Sequence, residues 1–204
     1  MKQLCARLLV IAALGVLLAF TGCITNQNDL VVTDEICANI VEHETTGTFS
    51  TFTVVDDFKA QLEAALKKAG KTSADVKSIH MISATFAAQA VSPKDARATA
   101  DIDIARQDTP GGGYDDGPAP FVTFDDTLLK SLQGKPTDAE MNADGVALVD
   151  RALAALLAGQ DPRLVLIVNN ETITPTPTVD NPLDFRVRAC VRFQAVVTGG
   201  SKKH

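Results

Sequence analysis

The sequence predicts an α+β fold: a mostly antiparallel sheet, or a β-sandwich, of about six or seven strands with two amphipathic helices. Three observations predict it. Residues 96–105 and 185–197 alternate apolar and polar with period two, the mark of half-buried antiparallel strands. Residues 56–70 and 137–159 carry apolar stripes at helical spacing between start and stop signals. No internal repeat and no second linker interrupts residues 30–198, so one domain is expected there.

In chain order, Leu30 to Val41 alternates weakly, with Ile36, Ala38 and Ile40 on one side. Thr45-Thr46-Gly47 reads as a turn and Thr48 to Val55 as a second strand, which together predict a β-hairpin. In the first helix Asp56 caps the start, and Phe58, Leu62, Ala65, Leu66 and Ala69 form the stripe. Lys67 and Lys68 suit its negative end, and Gly70 stops it. Lys77 to Val91 is a long strand with Ile82, Ala84, Phe86, Ala88 and Ala90 on one side. Ser92-Pro93 ends it.

Ala96, Ala98, Ala100, Ile102 and Ile104 then face inward, and Arg97, Thr99, Asp101 and Asp103 face outward. Gln107 to Pro120, rich in glycine and proline, is a loop with Tyr114, Asp115 and Asp116 at its tip, and Phe121 to Phe124 is a short strand. The second helix opens on a Thr137/Glu140 capping box and buries Met141, Leu148, Val149, Ala152, Leu153 and Leu156. Gly145 weakens its first turns. Leu164 to Val168 is apolar on both faces, as in a central strand, and Thr172 to Pro182 is irregular. The last strand turns Phe185, Val187, Ala189, Val191, Phe193, Ala195 and Val197 one way and Arg186, Arg188, Cys190, Arg192 and Gln194 the other. The helices are expected to cover one face of the sheet. The arginine face of 185–197 and the aspartate face of 97–103 suit each other as cross-strand pairs. Residues 199–204 are a polar tail.

The N-terminus has its own organisation. Lys2 and Arg7 precede Leu8 to Phe20, thirteen uninterrupted apolar or glycine residues. That is short of the roughly 20 needed to cross a bilayer, and it fits a signal-peptide core of about 7–15. The stretch Leu18-Ala19-Phe20-Thr21-Gly22-Cys23 follows, and its Thr21-Gly22-Cys23 ending resembles the lipobox of bacterial lipoproteins. Phe20 departs from the leucine usual at its position. The resemblance implies a signal peptide over 1–22, a lipidated Cys23 and a tether over 23–29. It further implies thioether-linked lipid with a further acyl chain on the amine. Residue 24 is isoleucine rather than the aspartate that marks inner-membrane retention, so the resemblance points to the outer membrane, facing the periplasm.

Composition narrows the partners. The full chain has 19 Lys+Arg and 25 Asp+Glu, and removing Lys2 and Arg7 leaves 17 against 25, a formal −8. Nothing in that balance favours nucleic acid. Tryptophan is absent and Tyr114 is the only tyrosine, so a large aromatic platform for flat ligands is not expected. With Cys5 in the leader and Cys23 lipidated, Cys37 and Cys190 remain. In an oxidising compartment such a pair forms a disulfide; the alternative is two unrelated buried thiols.

Chemical motifs are sparse. Asp101-Ile-Asp103 puts two carboxylates on one side of a strand, and Asp115-Asp116 sits in a glycine-rich loop. Both are weak metal candidates, since the further oxygen ligands of a calcium loop do not follow. Glu42-His43-Glu44 would need two more zinc ligands, and only His80 and His204 remain. No G-x-S-x-G elbow is present, and Gly111-Gly112-Gly113 lacks the lysine of a phosphate loop. Asn170-Glu171-Thr172 matches a glycosylation sequon by chance. No cofactor is implied. The expectation is a non-catalytic envelope lipoprotein that acts through a protein partner or in envelope assembly. A small-ligand or metal-binding module is the first alternative, and a hydrolase with an unrecognised site the second.

Overall fold

The structure is a computed structural model and describes residues 29–46, 51–55 and 57–198. Cys23, the segments 1–22 and 199–204, and all of the tether but Asp29 lie outside the described residues, as do Gly47 and Asp56. The compact body runs from Val31 to Val197.

Eight strands are described: β1 (Leu30–Glu44), β2 (Thr51–Val54), β3 (Val76–Ser92), β4 (Arg97–Arg106), β5 (Asp116–Leu128), β6 (Thr137–Asp138), β7 (Leu164–Thr174) and β8 (Leu183–Val197). Two α-helices join them, α1 (Phe58–Lys68) and α2 (Ala143–Leu157). The strands form two four-stranded sheets, ordered β1-β8-β3-β6 and β2-β7-β4-β5. β2 with β7, β3 with β6 and β8, and β4 with β5 and β7 all pair antiparallel. The inward faces meet in one apolar core, so the sandwich form of the expected fold is the one adopted, with more strands than expected.

The predicted alternation holds in the two clearest strands. Ala98, Ala100, Ile102 and Ile104 of β4 are buried, as are Val187, Ala189, Phe193, Ala195 and Val197 of β8. In β3 it holds only in the middle. Three register shifts against β8 each put an extra residue on β3. Each extra residue reverses which parity faces inward. Ile79 and Met81 are therefore buried alongside Ala84, Phe86 and Ala88, whereas Ile82 and Ala90, expected inside, are exposed.

Several expectations are corrected by topology. β1 and β2 form no hairpin: they lie at the edges of different sheets, and β2 pairs with β7. β4 and β8 are also in different sheets, so the arginine and aspartate faces do not pair. β5 begins at Asp116 and runs through Pro118 and Pro120. An edge strand tolerates proline because its outward N–H groups need no partner, and β5 is at an edge. Thr137 belongs to β6 and pairs with Phe86; α2 starts later, capped by Asn142, whose side chain accepts the Asp144 N–H at 3.0 Å.

The helices do not layer on one face. They close the two seams between the sheets. Phe58 of α1 is buried and borders one small internal cavity together with Ile36 and Val191 of one sheet and Leu164 of the other. Gln61 of α1 treats edge strand β1 as a neighbouring strand would. The Cys37 N–H donates to Oε1 at 2.9 Å, and Nε2 donates to the Cys37 carbonyl at 3.0 Å. This satisfies an edge that would otherwise invite pairing. The helix ends as foreseen at Gly70, at φ 68°, with Gly70 N–H on Lys67 O and Lys71 N–H on Leu66 O. Ala69 is exposed rather than part of the stripe.

α2 packs on β5, β4 and β3 and buries Leu148, Val149, Ala152, Leu153 and Leu156, the stripe foreseen; Met141 lies before its start. Gly145 is not a flaw in it. A Cβ there would sit 2.6 Å from Pro120 O and 2.8 Å from Phe121 Cα, so glycine is what lets the helix approach β5. Helix propensity alone would make Gly145→Ala stabilising by roughly 1 kcal/mol. The clash is with backbone and outweighs it. A net loss of about 2 kcal/mol is expected, within the range for overpacking. Urea unfolding measures it, and a gain in stability would refute the close approach.

Candidate functional site

The most distinctive feature lies between the sheets. β7 starts with Leu164, Leu166 and Val168 facing the core. Unbroken alternation would next turn Asn170 and Thr172 inward. Instead, Thr172 pairs with Thr99 and Asn169 with Asp101, three steps on β7 against two on β4. The extra residue is a β-bulge opposite Ala100. It turns Ile173 and Glu171 to the inside and leaves Thr172 exposed. Glu171 is thus 4% exposed in an otherwise apolar core.

Glu171 lines a cavity of about 50 Å³. Ile40 and Val187 of one sheet and Ala100, Ile102 and Phe124 of the other form much of the wall, and among the described residues Glu42 is the only other charged one on it. β1 delivers Glu42 and Glu44 to the same side as Ile36, Ala38 and Ile40, and both are half-buried. Burial first, then the charges of Glu42 and Glu44, push the Glu171 carboxyl up to about 8. At neutral pH it holds its proton, and no hydrogen bond to its side chain is found among the described residues. A buried carboxyl kept neutral is a hydrogen-bond donor without a partner, and it becomes an anion if a cation approaches.

A larger groove lies on the outer face of the second sheet. About 670 Å³ in volume, it is lined by Asp101 and Asp103 of β4, Thr123 of β5, Asn169 of β7, and Glu140 and Asn142 before α2. The two aspartates of the D-x-D do share a side, as the alternation required. Both are already engaged: Thr123 Oγ1 donates to Asp101 at 3.1 Å, and Asn169 Nδ2 donates to Asp103 at 2.9 Å.

Asp115 and Asp116 are elsewhere. Asp115 accepts the Asp108 N–H at 2.6 Å, and Asp116 opens β5 with a two-point pair to Arg151 of α2, which holds its carboxyl below the usual range. The structure does not bring the four aspartates together. His43 points away from its flanking glutamates and meets Asp184 at 2.5 Å, while His80 is 3.7 Å from Asp150. Asp150 also accepts the Met81 N–H at 2.7 Å, tying α2 to a β3 bulge.

Cys37 of β1 and Cys190 of β8 form a disulfide between adjacent strands, on the outer face of the first sheet. Arg188 Nη2 lies 3.2 Å from the Cys37 sulfur. Glu35 is beside the bridge, and these three side chains make the one group of metal-ligand type brought together among the described residues. With both sulfurs bonded to each other, neither is a free thiolate to ligate an ion.

No protein-family model matches the chain, and no curated protein matches it. Among solved structures the chain is similar to one from the empty head of turnip yellow mosaic virus, at 9% identity and TM-score 0.31, over 88% of this chain and 87% of that one. A second turnip yellow mosaic virus structure stands at 7% identity and TM-score 0.31, over 89% and 88%. An infectious bursal disease virus structure stands at 10% and TM-score 0.25, over 85% of this chain and 37% of that one. Likenesses at these scores carry no argument about this chain.

Sequence reasoning named Asp101, Asp103, Asp115 and Asp116 but passed over Glu171, which stood only inside a chance sequon. One signal was present: Glu171 lies three residues after apolar Val168 and two before apolar Ile173. Which way it points depends on the bulge.

Proposed function

We propose that this chain is a lipid-anchored cell-envelope protein of non-catalytic type. Its anchor is lipid on Cys23 at the outer membrane, facing the periplasm, and it acts through contact with another envelope protein or in envelope assembly. The observation that supports this compartment is the Cys37–Cys190 bridge, since such bonds persist in oxidising surroundings and are rare in the cytosol. The lipobox-like stretch before Cys23 supports the anchor. A protein with two or more acyl chains stays on a membrane, whereas one chain alone holds it only marginally.

The test is fractionation with mass spectrometry. The wild-type chain is expected in the membrane fraction, with an N-terminal peptide beginning at Cys23 and heavier by the lipid. Cys23→Ser is expected to leave the membrane fraction or to keep its leader. An unmodified Cys23 thiol in the processed chain would end the anchor reading. Crosslinking in intact cells then tests the partner: no reproducible adduct would count against action by contact.

The inter-sheet cavity favours a second reading, a small-ligand binding module. An unpartnered, neutral carboxyl in an apolar space is costly to bury unless something occupies the space beside it.

A further inference from the structure

We propose that a groove on the outer face of the first sheet is a binding site for a phosphate group, held by Arg188, Lys135 and the Thr85 hydroxyl. The proposal is independent of the inter-sheet cavity and of the anchor.

One turn laid on β3 builds the groove. After the buried Leu132 the chain doubles back through residues 133–136, with Gly134 at φ 91°, a conformation that favours glycine. Both ends of the turn are pinned to β3. Gln133 bridges to Ala88, and Thr137 and Asp138 of β6 pair with Phe86 and Thr85. Together with Arg188 and Cys190 of β8 and Thr85 and Ala87 of β3, the turn lines a groove of about 440 Å³.

Charge decides the class of guest. Arg186, Arg188 and Arg192 are exposed on one side of β8, a basic stripe in a chain of formal −6. Neither these three nor Lys135 is in an ion pair among the described residues; Arg188 reaches the Cys37 sulfur alone, at 3.2 Å. The neighbouring strand offers no carboxylate: opposite Arg186, Arg188 and Arg192 on β3 are Ala90, Ala87 and Ser83. On the groove itself Arg188 and Lys135 face one acid among the described residues, Glu35. Asp138, opposite Thr85, lies off the lining. Two cations without a counter-ion call for an anion.

The hydroxyl decides its shape. Thr85 is 8% exposed, and its side chain has no hydrogen-bond partner among the described residues. A buried polar group in that condition is uncommon, and this one borders the groove. Guanidinium, ammonium and hydroxyl come from three separate segments. The arginine fork alone takes up both oxygens of a carboxylate. A phosphate has oxygens left over for the lysine and the threonine, and lysine serves phosphate as a point charge. The volume is within the roughly 300–1,000 Å³ of small-molecule sites, so an organic group fits beside the phosphate. That describes a phosphate monoester, either soluble or at the head of a lipid.

The experiment is calorimetric titration of the full chain in detergent at pH 7. The probes are inorganic phosphate, glycerol phosphate, short-chain phosphatidic acid and acetate. Saturable binding of the three phosphates is expected, with acetate about tenfold weaker or more. Arg188→Gln should lower phosphate affinity by about tenfold, and Lys135→Gln and Thr85→Val by about threefold each. Arg186→Gln, on the same side of β8 but off the lining, should leave it unchanged. Phosphatidic acid that binds more tightly than glycerol phosphate assigns the site to a lipid head, and equal binding assigns it to a soluble ester; both support the phosphate site. No saturable binding of any phosphate overturns the proposal. So does acetate that binds as tightly as phosphate, or wild-type affinity in Arg188→Gln and Lys135→Gln, each checked for folding by circular dichroism.

Discussion

Replacing Glu171 with glutamine raises stability by about 3–5 kcal/mol at pH 9 and changes it little at pH 4.5. The sign follows from proton counts. The folded carboxyl is pushed up to about 8, from an ordinary value of 4.5. Between those values the unfolded chain has given up the proton and the folded chain has kept it. The folded state binds more protons, so its stability falls as pH rises, by up to about 1.4 kcal/mol per unit. All of this contribution is present below pH 4.5, and it is gone above about 8. Over the whole interval the wild type loses up to about 5 kcal/mol, a large part of the 5–15 kcal/mol typical of a domain. Glutamine keeps the shape and cannot ionise, so the variant's curve is flat where the wild type's slopes.

Below pH 4 a different group takes over in both proteins: Asp116, held below its usual range by Arg151, loses its pair as it protonates. Urea unfolding of both proteins at pH 5, 7 and 9 measures the difference. Parallel curves would mean that Glu171 is hydrated and that the cavity reading is wrong.

Loss of the disulfide is the second large effect. Cys37 and Cys190 are 153 residues apart, so the bridge closes nearly the whole domain. In the chain-entropy model a loop of that length gives an upper figure of roughly 5 kcal/mol, and removal of native bridges typically costs 2–5. The Cys37→Ser/Cys190→Ser double variant is expected to melt about 10 °C lower, on the usual conversion for a domain of this size. Reductant should lower the wild-type melting point by a similar amount and leave the double variant unmoved. A reductant effect of equal size in both would assign the loss to something other than this bond. The bond joins neighbouring strands of one sheet, so its loss frees edge strand β1 from β8 first, and proteolysis near β1 should precede global unfolding.

Much of this protein was readable from local pattern. The inward faces of β4 and β8, the buried stripes of both helices and the stop at Gly70 all came from spacing, because burial of one face imposes a period on the residues themselves. The pairing of Cys37 with Cys190 followed from there being two such residues left in the domain, and the structure joins β1 to β8 through it.

What local pattern does not carry is partnership between distant segments and the count of residues in each paired strand. Whether β2 joins β1 or β7 depends on which sheet buries more, and both choices satisfy the same alternation. Extra residues on β3 and β7 are invisible until the partner strand is known, yet they decide that Ile82 lies outside and Glu171 inside. Gly145 looks like a weak spot until Pro120 is found against it.

The amino-acid sequence alone determined the strand and helix character of most segments, the acidic balance and the cysteine pair, since each is a property of neighbours along the chain. Only the tertiary structure decided that two sheets face each other with a helix at each seam, and that a bulge carries one carboxyl into the apolar space between them. The physical reason is that register and burial are settled by contacts between strands, and no single strand contains them.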